Sequence, residues 1–146
     1  MLIGEYDVTI DEKGRVMIPA KLRSQMAGND LIVARGPKPE LNLMLFLPEE
    51  WKALNDKLYD PEKTSLFNPR DRQRRRQTVG EEVKIDNAGR ILIPQKLKAY
   101  AGLKKEVCVL GQIDYLELWD AEKYALHMQE SEERGVYEED QKELKE

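Results

Sequence analysis

A chain of 146 residues with a formal net charge of -4 is long enough to bury a core, as one domain or as two small halves wrapped together. It holds no apolar run near the roughly 18 residues that cross a bilayer, and Met1 to Tyr6 has neither the basic start nor the apolar middle of a secretory leader, so a cytosolic protein with no membrane partner is expected. The single cysteine, Cys108, excludes an internal disulfide, and the single histidine, His127, excludes a metal site built on two histidines.

The charge is unevenly spread. Residues 131 to 146 carry seven acidic and three basic side chains, which accounts for the whole excess and leaves the first 130 residues balanced. Attraction for a polyanion would therefore come from local patches and not from the overall charge.

In chain order, Val8-Thr9-Ile10 is a β-branched run that predicts a strand ending at Asp11. Asp11-Glu12-Lys13-Gly14 then has turn chemistry: an aspartate that can accept backbone hydrogen bonds, and a glycine three residues on that tolerates a left-handed backbone. The strand resumes as Arg15-Val16-Met17-Ile18 and stops at Pro19, which fits the first turn of a short helix. Gly28 suits the position after that helix, where positive φ is common. Further strands are predicted at Leu31 to Ala34 and at Leu43 to Leu47, followed by a helix opened by Pro48 and carrying Trp51.

Asn68-Pro69 is a helix start, and the run Arg70 to Arg76 has five arginines and one aspartate. Lacking an apolar face, that helix either stays solvated, pairs with acids of a neighbouring subunit or adds nonspecific attraction for DNA.

The first pattern then returns. Val8 to Leu22 reappears 75 positions later as Val83 to Leu97, with nine of fifteen positions identical. Asp86-Asn87-Ala88-Gly89 is the second tip, Arg90-Ile91-Leu92-Ile93 the resumed strand, Pro94 the second helix start and Gly102 its terminator. Strands are predicted at Val107 to Leu110 and Tyr115 to Trp119, and Asp120 caps a last helix carrying Tyr124. Each copy reads strand, turn, strand, helix, strand, strand, helix. One copy has too few strands to close a sheet, so two copies are expected to interleave. The expected organisation is a first repeat at 1–59, a basic helical linker at 60–79, a second repeat at 80–128 and a mobile acidic tail at 129–146.

These residues resemble the AbrB/SpoVT family of swapped-hairpin DNA-binding proteins, and within it the tandem-duplicated MraZ branch. The resemblance covers about residues 1 to 128 and is carried by Asp11-Glu12-Lys13-Gly14-Arg15 with Ile18-Pro19, Asp86-Asn87-Ala88-Gly89-Arg90 with Ile93-Pro94, Gly4-Glu5-Tyr6, Pro48-Glu49-Glu50-Trp51 and Glu117-Leu118-Trp119-Asp120. It implies a mainly β fold with short helices (α+β), a pseudo-twofold swapped-hairpin β-barrel. It implies a nucleoid-associated regulator that represses the promoter of the division and cell-wall gene cluster. The implied partners are double-stranded DNA carrying short repeated boxes and further copies of the chain in a homo-oligomeric ring. The basic run stands where relatives have aromatic residues, and the second tip lacks the lysine of the first, so the two half-sites are not expected to contribute equally.

The candidate DNA-binding residues are Lys13, Arg15 and Arg90, because a cation at a turn tip can meet phosphate and a guanidinium beside it can also meet a guanine edge. The alternative is that each arginine bridges its own aspartate. Asp11, Gly14, Asp86 and Gly89 are loop-forming, and Lys21, Arg23, Lys96 and Lys98 read as a solvated helix face. Phe46, Trp51, Trp119 and Tyr124 read as core or subunit contact.

No enzyme, cofactor or metal is expected. Cys108 sits in an apolar run that disfavours its thiolate, and no phosphate-binding glycine loop or cysteine cluster is present. The rival class is an antitoxin-like or structural ring-forming interaction protein. Such antitoxins carry one barrel half per chain and an apolar docking tail, where this chain has two halves and a charged end.

Overall fold

The computed structural model describes residues 1–37, 39–58 and 80–134. The basic run from Arg70 to Arg76 and the chain beyond residue 134 lie outside the described residues, and so do the expectations placed on them.

The first copy forms β1 (Leu2–Thr9), β2 (Arg15–Met17), α1 (Ala20–Arg23), β3 (Asp30–Arg35), β4 (Leu43–Phe46) and α2 (Pro48–Leu58). The second forms β5 (Glu81–Lys84), β6 (Arg90–Leu92), α3 (Gln95–Ala101), β7 (Glu106–Ile113), β8 (Tyr115–Asp120) and α4 (Ala121–Glu133), the same sequence of elements. The two helix ends differ. Gly102 terminates α3 in the left-handed conformation at φ 62, as its residue type predicts. Gly28 has no such role, because α1 stops after one turn at Ser24, which stays right-handed at φ -65. Asp120 caps α4 by accepting from the Lys123 amide at 3.3 Å.

The strands form a six-stranded antiparallel sheet in the order β1-β7-β8-β4-β3-β5 and a separate ribbon of β2 with β6. Exchanging the two copies leaves that order unchanged. The first strand of each copy pairs with the third strand of the other, with Val8 opposite Val107 and Val83 opposite Leu31. At the centre Leu43 faces Leu118 and Leu45 faces Leu116. Neither copy alone could therefore satisfy its backbone donors and acceptors.

The expected closed barrel is not what the described strands form. The large sheet is open, with β1 and β5 at its edges, and an isolated bridge joins Val16 of the ribbon to Ile10, the residue just after β1. The turn after β1 is thus a local elbow and not the end of a long hairpin, since β2 has three residues and spends their pairing on β6.

One buried cluster unites the copies. Val16, Ile18 and Leu22 join their equivalents Ile91, Ile93 and Leu97 and the sheet residues Val33, Leu45, Val109 and Leu118. Tyr6 and Tyr100 pack against that cluster, and the other described aromatic residues named above form two smaller ones. Phe46 packs with Trp51 of α2 and with Tyr115 at centroid distances of 5.3 and 5.2 Å, and Trp119 packs with Tyr124 and His127 of α4 at 5.5 and 5.0 Å. Cys108 is buried beside Trp119. Burial and the neighbouring Glu5 push its thiol up to about 12, so it stays protonated at neutral pH.

Candidate nucleic-acid interface

Each elbow is built by its aspartate. Asp11 Oδ1 accepts from the amides of Lys13 and Arg15 at 2.9 Å each, and Asp86 Oδ1 accepts from those of Ala88 and Arg90 at the same distance. The chain closes through Gly14 N to Asp11 O at 3.0 Å and Gly89 N to Asp86 O at 2.9 Å. Gly14 and Gly89 have φ of 87 and 83, a conformation that a side chain would strain.

The elbows are also tied to each other. Ile18 N donates to Gly89 O, and Ile93 N donates to Gly14 O, both at 2.9 Å. With β2 and β6 paired in register, Val16 and Ile91 face inward and are fully buried, while Arg15, Met17, Arg90 and Leu92 share the outer face. Arg15 stands opposite Leu92, and Met17 opposite Arg90. The two candidate arginines, 75 positions apart in sequence, therefore lie on one short ribbon.

Both arginines also meet carboxylates. Arg15 Nε donates to Asp11 Oδ2 at 2.7 Å, and Arg90 Nε lies 3.5 Å from Asp86 Oδ2 with Arg90 Nη1 4.0 Å from Asp11 Oδ2. The bridging alternative is thus present in the geometry. It leaves the Arg15 and Arg90 side chains partly exposed, at 32% and 33%, although Arg90 Nε itself is buried without a hydrogen-bond partner among the described residues. Among the described residues the Arg15 side chain spends only Nε on a hydrogen bond, of the five N–H donors a guanidinium carries. Backbone donation from Arg15, its side-chain bond and its positive charge hold the Asp11 carboxyl down at about 2. The Asp86 carboxyl is lowered as well, first by the amide of Arg90.

Lys13 is exposed at the first tip, where Ala88 stands in the second. Arg23, expected on a solvated face, is instead half-buried. Its Nε donates to Ile18 O at 2.9 Å, and its guanidinium lies over the second elbow, where a β-carbon on Gly89 would come within 2.5 Å of Arg23 Cζ. The sequence pattern hides this because α1 stops after a single turn, so its last residue turns back to the ribbon. The copies also diverge in sequence at this point, with Arg23-Ser24-Gln25-Met26 where the second has Lys98-Ala99-Tyr100-Ala101.

Fold and site together define an internally duplicated α+β protein that exchanges strands between its copies and presents two arginine-bearing elbows on one ribbon. The chain belongs to the MraZ family, whose model, described as "MraZ protein, putative antitoxin-like", matches residues 1–77 and 80–146. It is 39% identical over 133 residues to the "Transcriptional regulator MraZ" of Treponema denticola, covering 90% of each chain. It is 38% identical over 135 residues to the protein of that name from Nitrosospira multiformis, covering 88% of each. It is 37% identical over 128 residues to that of Clostridium beijerinckii, covering 86% of this chain and 85% of the relative. No described helix is long and apolar enough to cross a membrane.

Proposed function

We propose that this chain is a sequence-specific DNA-binding transcriptional regulator that represses the promoter of the division and cell-wall gene cluster. It binds short repeated boxes as a homo-oligomeric ring. The observation that carries this reading is the β2–β6 ribbon, which sets Arg15 and Arg90 on one accessible face with Lys13 at the adjoining tip. The names of the relatives support the regulatory role. A ring is multivalent, so weak individual half-sites suffice when boxes recur near the roughly 10 base-pair helical repeat.

Arg15 and Lys13 contact phosphate or a guanine edge in the first half-site, and Arg90 serves the second. Arg15→Ala is expected to weaken specific binding by about 1 to 3 kcal/mol and to flatten its salt dependence, since neutralising one phosphate fewer releases fewer counterions. An electrophoretic shift on DNA from upstream of the chain's own gene, repeated across salt concentrations with particle size from light scattering, measures both. Unchanged affinity and slope would remove Arg15 from the interface.

The family description favours a second reading, a toxin-neutralising interaction protein. Wild-type protein that gives no shift at any salt concentration would favour it over the first.

A further inference from the structure

The outer face of the ribbon is not purely cationic. Leu92 is 55% exposed and Met17 is 39% exposed, two large apolar side chains standing among the arginines. Single exposed aliphatic side chains are ordinary on a protein surface, and what distinguishes these two is the cations that stand beside them. The two are not equivalent. Leu92 stands directly opposite Arg15, its Cδ1 lies 3.7 Å from where a β-carbon on Gly14 would be, and it lines an open cleft with Lys13. In that cleft Glu81 and Glu82 are offset by Lys84 and Lys13. Met17 stands opposite Arg90 but lines a cleft whose charged groups are Asp7 and Glu106, which repel a polyanion.

We propose that Leu92, supplied by the second copy, completes the first copy's half-site as a base-reading residue, and that it contacts the 5-methyl group of thymine in the major groove of double-stranded DNA. The inference rests on the DNA-binding reading above. The major groove is wide enough, at about 12 Å, to admit a two-stranded ribbon, and the thymine methyl is the one apolar group that a base presents there. Arg15 and Lys13 flank Leu92, so the phosphate-attracting groups and the apolar reader approach the duplex together. Arg15 and Lys13 beside Leu92 thus favour a polyanion as the occupant on its side, whereas Met17 has Arg90 opposite it but Asp7 and Glu106 in its cleft, so the apolar contact is assigned to Leu92 alone.

The test uses the full-length protein and DNA from upstream of its own gene, amplified once with thymidine and once with deoxyuridine triphosphate, so that only the methyl groups differ. Wild type is expected to bind the uracil form about fourfold more weakly for each methyl group that Leu92 would have covered, and more where several subunits each read one. Leu92→Ala should bind the thymine form more weakly than wild type and should no longer distinguish the two DNAs. Met17→Ala should keep the preference. Equal wild-type binding to both forms overturns the proposal, as does a Leu92→Ala protein that still prefers thymine. A changed particle size for Leu92→Ala in light scattering would assign the side chain to a subunit contact and overturn it too. Wild type binding neither DNA would instead sink the DNA-binding reading itself, an outcome distinct from equal binding to both.

Discussion

Asp11 divides its two carboxylate oxygens between structure and charge. Oδ1 takes the two elbow amides, and Oδ2 faces Arg15 at 2.7 Å and Arg90 at 4.0 Å. Asp11→Asn keeps the acceptor that shapes the turn, since asparagine suits the same position, and removes the charge. Nonspecific affinity for duplex DNA is expected to rise and its log–log salt slope to steepen by about one, because the arginines lose their internal counter-ion. Identical titrations for the two proteins would leave the carboxylate as a loop-former only. The variant has a second signature in acid. The Asp11 carboxyl is held at about 2 against an ordinary 3.8, so the stability it lends is fully present above pH 3.8 and is lost as pH falls through 2. Acid titration of the wild type, followed by circular dichroism, should slope more steeply in that window than that of Asp11→Asn.

At the scale of elements, the ribbon is the joint where the copies meet. Val16 and Ile91 face each other at its centre, both with no exposure. Ile91→Ala is expected to cost about 2 to 5 kcal/mol in denaturant unfolding, because the cavity opens where both copies contribute walls. An exposed change on the same strand, such as Leu92→Ala, should stay within about 0.5 kcal/mol. Similar costs at both positions would mean that the ribbon's inner face is not packed as described. Arg23 belongs to this scale as well, since it reaches from α1 in the first copy to the elbow of the second. Among the described residues no equivalent cation covers Gly14, where an added β-carbon would meet Ile93 O and Leu92 Cδ1. The elbows are therefore alike in backbone and different in what lies over them.

The whole molecule is held together by exchange. β1 finds its ladder on β7, and β5 finds its ladder on β3, so most sheet pairing joins distant parts of the chain. A fragment of residues 1–58 would have β1 without a partner, a bare outer edge on β4 and β2 without β6. It is expected to be unfolded when dilute and to gain β structure only as a dimer, in which a second fragment supplies the missing strands. Circular dichroism against concentration checks this; a folded monomer at low concentration would show that one copy is self-sufficient.

Much of the local structure was legible in the residues. The duplication, the Asp-to-Gly elbows, the proline helix starts, the Asp120 cap and the aromatic packing rest on chemistry between near neighbours, which a sequence displays directly. The partners of each strand were another matter. Nothing in Val8-Thr9-Ile10 says that its strand pairs with β7 and not with the strand across its own elbow, because β-branched runs fit many edges equally. An interleaved arrangement could be expected, but the open sheet, the three-residue ribbon and the placing of Leu92 beside Arg15 and of Arg23 over Gly89 could not. Those follow from which edges and faces meet when two copies bury one core, and only the tertiary structure decides that.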